Sequence, residues 1–195
     1  HVFKAARNGY GDRCMRDYNN MDVLFSPWRY DYIKSAVKNE LGCFICSYVK
    51  DDKDDDNLVV FRGRRCVVLM NKYPYNRGHV MIAPYRHVSS LEDLSDDELM
   101  DCSRLILAVI KAEEEVLSPD DFNVGINVGR AAGAGLEEHM HVHVIPRWIG
   151  DAGIIPSSYC FSDVERDMKE IMLKLRGRLG VLVYHDSDGE EIHTD

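Results

Sequence analysis

Two hydrophobic spacings alternate along this chain, and each predicts a kind of element. Leu58-Val59-Val60-Phe61 and Cys66-Val67-Val68-Leu69-Met70 are short apolar runs rich in β-formers. The basic turn Arg62-Gly63-Arg64-Arg65 separates them, which predicts a hairpin. A loop with Pro74 and Gly78 leads into a third strand, His79 to Ala83, closed by Pro84. Ser95-Asp96-Asp97-Glu98 reads as a capping box with acids in the first helical turn. Leu99, Cys102, Ile106 and Val109 then recur at helical spacing, and Lys111 to Leu117 extends the pattern. Phe122 to Val128 predicts a fourth strand, Gly129 to Gly135 a small-residue loop, and His139 to Ile145, ending at Pro146, a fifth strand. A second helix is expected over about Asp163 to Leu175, with Val164, Met168, Ile171 and Leu175 on one face.

The ends read differently. Residues 1 to about 23 are polar and irregular, an arm ordered against a partner subunit if at all. A short helix is expected after Pro27, through Tyr30, Ile33 and Val37. The last twenty residues hold Val181-Leu182-Val183-Tyr184 and then an acidic tail. The organisation expected is an N-terminal arm and short helix over 1–40, a main domain over 41–176 and a C-terminal extension over 177–195. Strands in hairpin-like succession, with one long helix between the third and fourth, predict an α+β domain with an antiparallel sheet.

Composition narrows the function. The net charge of -9 argues against broad binding to nucleic-acid polymers, which needs a basic surface, but leaves room for a nucleotide in a local pocket. Much of the acid lies in Asp51-Asp52-Lys53-Asp54-Asp55-Asp56, read as a solvated loop. No apolar run reaches the roughly 20 residues a membrane helix needs, and no secretory pattern opens the chain, so a cytoplasmic setting is expected. Six cysteines in a reducing compartment do not predict a disulfide framework; Cys66 and Cys102 sit in apolar patterns as small hydrophobes.

The chemistry is concentrated in Glu138-His139-Met140-His141-Val142-His143-Val144-Ile145-Pro146. In a strand, successive side chains point to opposite faces, so His139, His141 and His143 share one face while Met140, Val142 and Val144 enter the core. Three adjacent imidazoles are costly as packing alone, because each ring needs partners. Neutral imidazole is also a competent nucleophile near pH 7, provided one ring nitrogen is free and the other donates to a fixed acceptor.

This pattern, His-φ-His-φ-His-φ-φ with φ apolar, resembles the histidine-triad family. The resemblance extends to Asn71-Lys72-Tyr73-Pro74-Tyr75-Asn76-Arg77-Gly78-His79 and to Asn127-Val128-Gly129, and covers about residues 41 to 155. Leu24 to Tyr30, the Tyr-Pro-Tyr-Asn loop and Pro146-Arg147-Trp148-Ile149-Gly150-Asp151 look like the family's diadenosine tetraphosphate phosphorylase branch. The resemblance implies a five-stranded antiparallel sheet with two helices, usually paired as a homodimer. The long helix, with apolar flanks wider than one small sheet can cover, points to the same pairing. It implies a reaction as well: a middle histidine, His141, attacks the α-phosphorus of a nucleotide and forms a covalent nucleotidyl-histidine, which water or phosphate then cleaves. His143 and N–H groups of the loop Gly129 to Gly135 are expected around the phosphate. His79 completes the catalytic set as support for that site. Asn71 is expected at the ribose, and Asn127, Gly129 and Gly135 on the phosphate side. Val60, Phe61 and Leu69 are either walls around a base or plain core. One departure is clear: where many members carry a serine, threonine or glutamine just before the triad, this chain reads Gly135-Leu136-Glu137-Glu138.

Gly42-Cys43-Phe44-Ile45-Cys46 is a C-x-x-C, which alone fits redox chemistry, metal binding or neither. By the resemblance, His87 and His139 would complete a Cys₂His₂ zinc site with Cys43 and Cys46, a closed set suited to a structural ion. Four functions therefore compete. They are cleavage of dinucleoside polyphosphates, phosphoramidase action, a nucleotide sensor with little turnover, and a zinc hydrolase using all three triad histidines.

Overall fold

The computed structural model describes residues 42–149, 151 and 161–185. The expected arm, the short helix after Pro27 and the acidic tail lie outside the described residues. Within them, α1 (Phe44–Lys50), β1 (Val59–Arg62), β2 (Cys66–Met70), β3 (Val80–Pro84), α2 (Asp96–Leu117), β4 (Asp121–Ile126), β5 (Val142–Arg147) and α3 (Phe161–His185) follow in order. The strands form one antiparallel sheet in the order β1-β2-β3-β5-β4, as the α+β reading expected.

Alternation sorts the sheet's side chains onto two faces. Val60, Cys66, Val68, Met70, Val80, Ile82, Val142 and Val144 meet α2 and α3 in the larger core. Val59, Val67, Leu69, Met81 and Ala83 face the other way, where Phe44, Ile45, Tyr48 and Val49 of α1 cover them together with Leu136. Val60 and Phe61 therefore belong to the helix side, which removes them as walls of a site; Leu69 lies on the opposite side and is buried.

The capping box at α2 forms in full: Ser95 accepts from the Glu98 N–H, and Glu98 accepts from the Ser95 N–H. The same carboxylate takes Arg86 Nε and Nη2 at 2.7 and 2.6 Å. Those bonds, Arg86 first, hold the buried Glu98 carboxyl at about 2. They also fix the segment leading from β3 to His87. At Gly78 (φ +80) a Cβ would strike Leu117 Cδ1 and come within 3.0 Å of Pro146 Cγ, so glycine is required where the loop enters β3.

The structure departs from the expected elements at α1, β1, the acidic run and α3, as well as at β5. α1 was not legible as a helix, since seven residues are too few for a hydrophobic period. Arg62 ends β1 instead of joining the turn, and its guanidinium donates to the carbonyls of Tyr48, Val49 and Asp51, clamping the end of α1. The acidic run is not simply solvated: Asp54 pairs with Arg62 and Asp55 with Arg176. Finally, α3 crosses the boundary expected at 176 and runs to His185, because Leu179, Leu182 and Val183 continue its apolar stripe.

Candidate functional site

The triad begins before its strand. β5 starts at Val142, so only His143 of the three is in the sheet, opposite Met81 of β3. The alternation nevertheless continues backward through extended chain. Met140 enters the helix-side core and its N–H donates to Val88 O at 2.7 Å, while His139, His141 and His143 are all buried on the other side. Pro146 does not end the strand but lies within it, pairing with Phe122. This is tolerated because β3 pairs with β5 only over Val142–Val144, so no strand faces the missing N–H on that side.

Each triad histidine has a defined partner. His139 Nε2 lies 2.9 Å from Pro84 O, so it donates there and leaves Nδ1 as a lone pair. His141 Nδ1 lies 2.9 Å from His139 O, so its proton is on Nδ1 and Nε2 is the free nucleophilic nitrogen. Burial lowers the His141 pKa below its ordinary 6.5, with the bond to His139 O opposing, which favours the neutral ring. The rings of His141 and His143 stand edge to face at 4.8 Å. His79, fully buried, places Nε2 3.0 Å from His143 Nδ1.

The predicted phosphate side is only partly assembled. Asn127 brings Nδ2 to 3.5 Å from His143 Nε2. Gly129 (φ +80) opens a 3₁₀ turn, Arg130–Ala132, closed by Gly133 (φ +87). The N–H groups of Ala132 and Ala134 go to Gly129 O, and that of Gly133 to Arg130 O. Those three donors are spent inside the turn, contrary to their expected role at a phosphate. Gly135 lies beyond the turn on exposed chain. Asn71 is buried, and its Oδ1 accepts from the Tyr73 N–H at 2.9 Å, so this amide shapes the loop that carries His79.

The four expected metal ligands converge. One ligand atom each from Cys43, Cys46, His87 and His139 lies within 4.8 Å of the others. His139 Nδ1 is 3.2 Å from Cys43 Sγ and 3.5 Å from Cys46 Sγ, and His87 Nδ1 is 3.3 Å from Cys46 Sγ. Cys43 is the N-cap of α1, and its sulfur accepts from the Cys46 N–H at 3.4 Å. Burial pushes the Cys43 thiol up to about 11, a cost that a bound cation would reverse. Two cysteine sulfurs and two imidazoles within 4.8 Å of one another offer the donor types of a Cys₂His₂ metal site.

Sequence reasoning missed Tyr75, whose ring stacks on His79 at 5.1 Å and meets His143 edge-on at 6.0 Å. It also missed Asp151, which binds Asn76, Arg147 and the Trp148 N–H and so ties the His79 loop to the end of β5. Both lay inside motifs quoted for the resemblance, and the Tyr-Pro-Tyr-Asn spacing before His79 was the available signal.

A comparison with known proteins settles the family. The HIT domain family matches residues 52–148. AP-4-A phosphorylase of Mycobacterium tuberculosis (strain CDC 1551 / Oshkosh) is 37% identical over 170 residues, covering 83% of this chain and 87% of that protein. The chain belongs to the HIT family. The asymmetrical bis(5'-nucleosyl)-tetraphosphatase of Schizosaccharomyces pombe is 33% identical, over 56% of this chain and 58% of its own length. Among solved structures, a zinc-bound histidine triad family protein from Mycobacterium smegmatis superposes with TM-score 0.59 at 25% identity, covering 76% of this chain and 99% of that one. In this HIT protein the triad is complete, and His79 joins it from β3's approach.

Proposed function

We propose that the protein transfers a nucleotidyl group from a dinucleoside polyphosphate through a covalent intermediate on His141. The observation that carries this is the 2.9 Å bond from His141 Nδ1 to His139 O, which turns the Nε2 lone pair outward. Nε2 attacks the α-phosphorus, a P–N bond forms and the P–O bond to the rest of the polyphosphate breaks. Water or phosphate then attacks the same phosphorus through oxygen, the P–N bond breaks and Nε2 regains its lone pair. His143, 4.8 Å away ring to ring, stands beside the transferring phosphate. The likeness to AP-4-A phosphorylase supports diadenosine tetraphosphate as substrate and phosphate as acceptor. Incubation with and without phosphate tests this: ATP and ADP are expected with phosphate, and AMP as the only second product at high phosphate contradicts the acceptor.

Cys43, Cys46, His87 and His139 would hold one zinc ion, whose part is structural, joining α1 to the first triad histidine. Reduced thiols for this site suit the cytoplasm. The protein pairs as a homodimer through β4, an edge strand whose Asn123, Val124 and Gly125 are exposed. Light scattering at micromolar concentration should give twice the 22.3 kDa chain mass.

A further inference from the structure

The peptide that orients His141 is not held by the sheet. β5 starts at Val142, and its pairing with β3 stops at Ile82. His139 O, which accepts the His141 Nδ1 proton at 2.9 Å, lies ahead of that strand. Contacts from outside the sheet fix it instead. His139 Nε2 donates to Pro84 O at 2.9 Å, and the Met140 N–H donates to Val88 O at 2.7 Å. On its other side the His139 ring brings Nδ1 to 3.2 Å from Cys43 Sγ and 3.5 Å from Cys46 Sγ. Val88 directly follows His87, the second imidazole of the same Cys43–Cys46–His87–His139 cluster. The cluster therefore meets this peptide both through the His139 ring and through the neighbour of Val88. It also has an inner and an outer side. His139 is fully buried, whereas His87 is exposed and both sulfurs are half-buried. Cys46 Sγ, 3.3 Å from His87 Nδ1, is on the solvent side, and Cys43 Sγ accepts the Cys46 N–H one helical turn away.

We propose that Cys43 and Cys46 form a redox site that governs the nucleophile: a low-molecular-weight disulfide oxidises the pair, the metal ion is lost, and the peptide that orients His141 is released. The proposal rests on the zinc and nucleotidyl-transfer readings above. Cys46 Sγ attacks one sulfur of the oxidant, forming a mixed disulfide and expelling one thiolate. Cys43 Sγ then attacks Cys46 Sγ, closing the Cys43–Cys46 disulfide and expelling the second thiolate. The pair loses two electrons; the oxidant gains them, takes two protons from solvent and ends as two thiols. The linked sulfurs are no longer thiolate donors, so two of the four ligands are gone and His87 and His139 alone do not hold the ion. The His139 ring is then fixed through Nε2 only, and His139 O moves relative to His141 Nδ1. Without a fixed acceptor, part of the neutral His141 carries its proton on Nε2, where no lone pair is left for attack on phosphorus. Reduction by a thiol and reloading with zinc reverse the change. Cys43, Cys46 and His87 are thus positioning residues that act through His139.

The test treats the full chain, purified with its zinc, with oxidised glutathione at one fixed pH while a chromogenic chelator reports free zinc. One zinc should appear for each Cys43–Cys46 disulfide found by mass mapping. Cys66 and Cys102, buried in the helix-side core, should stay reduced. The kcat on diadenosine tetraphosphate should fall about 10–100-fold, the scale on which partners that orient a site's groups act. Dithiothreitol with added zinc should restore it. Long-range ¹H–¹⁵N spectra of ¹⁵N-histidine protein should show His141 protonated on Nδ1 before oxidation and as a mixture of both ring tautomers after it, a change that a loss of stability alone does not produce. His87→Gln keeps both sulfurs and alters an exposed position, so it carries the test if the oxidised chain unfolds. Stripped of zinc, it should show the same tautomer mixture and the same loss in kcat with no oxidant present. Zinc loss with kcat and the His141 tautomer unchanged overturns the coupling, and a pair that stays reduced with zinc bound overturns the redox site. Absence of zinc from the purified protein defeats the zinc reading and the proposal with it. Mapping an adduct to His141 reports separately on the nucleotidyl-transfer reading.

Discussion

The two faces of the sheet bury polar groups on opposite terms. On the histidine face, each of the four buried rings ends on a fixed partner: His139 on Pro84 O, His141 on His139 O, His143 on His79, and His79 on the Tyr75 N–H. On the helix face, Glu113 of α2 is fully buried, and neither carboxyl oxygen has a hydrogen-bond partner among the described residues. Burial pushes its pKa up to about 9, so it is protonated at neutral pH. A buried polar group costs free energy unless it is bonded. The histidine face offsets that cost with backbone and imidazole partners and thereby fixes tautomers; at Glu113 the helix face leaves it unmet among the described residues.

The largest effect should come from unpinning the histidine face. Replacing Cys43 and Cys46 together by Ser should abolish metal found by elemental analysis of protein purified without added metal. A ligand held at 100-fold above its Kd stabilises by about 2.7 kcal/mol, which is about 5–10 °C for a chain of this size. Unchanged metal content and unchanged Tm would rule out the zinc site.

A smaller, opposite change is expected on the helix face. Glu113→Met keeps the volume and removes the unbonded carboxyl, so stability at pH 7 should rise by about 1–3 kcal/mol. The pH dependence sharpens the point. The folded state keeps the Glu113 proton up to about 9, whereas the unfolded chain loses it near the ordinary 4.5. The native state binds more protons across that window, so its contribution is full below 4.5 and declines as pH rises toward 9. Urea titrations at pH 5 and pH 9 should show a smaller difference in the variant than in wild type. An equal or larger difference would mean that Glu113 finds a partner in solution.

The smallest effect concerns the acid side of the activity profile. Because burial holds the His141 pKa below 6.5, kcat/KM should fall only below that pH as the ring protonates and loses its nucleophilic lone pair. An acid limb centred above 6.5 would place His141 in an environment unlike the one described.

How much of this was legible depended on period. The strands, α2 and the shared face of His139, His141 and His143 follow from alternation and a capping box, which are local signals. The start of β5 was shifted because its pairing with β3 stops at Ile82, although β3 runs to Pro84, and the Met140 N–H goes to Val88 O instead, a partner that no local alternation contains. The seven-residue α1 is held by Cys43 at one end and by Arg62 from β1 at the other, so its cause is distant in sequence. The glycine loop suggested a phosphate cradle by composition, yet the 3₁₀ turn consumes the N–H groups of Ala132, Gly133 and Ala134. Glu113 was invisible because its spacing puts it on the buried side of a helix where only the apolar positions were counted.

The proposed reaction stands or falls with His141 as the nucleophile. Rapid-quench reaction with substrate labelled on the α-phosphate, followed by mass mapping, should find the nucleotidyl group on the peptide containing His141. In His141→Asn, which keeps polar partners in a similar volume, the adduct should vanish while the fold and nucleotide binding remain. An adduct that persists in that variant, or turnover like that of the wild type, would contradict the account.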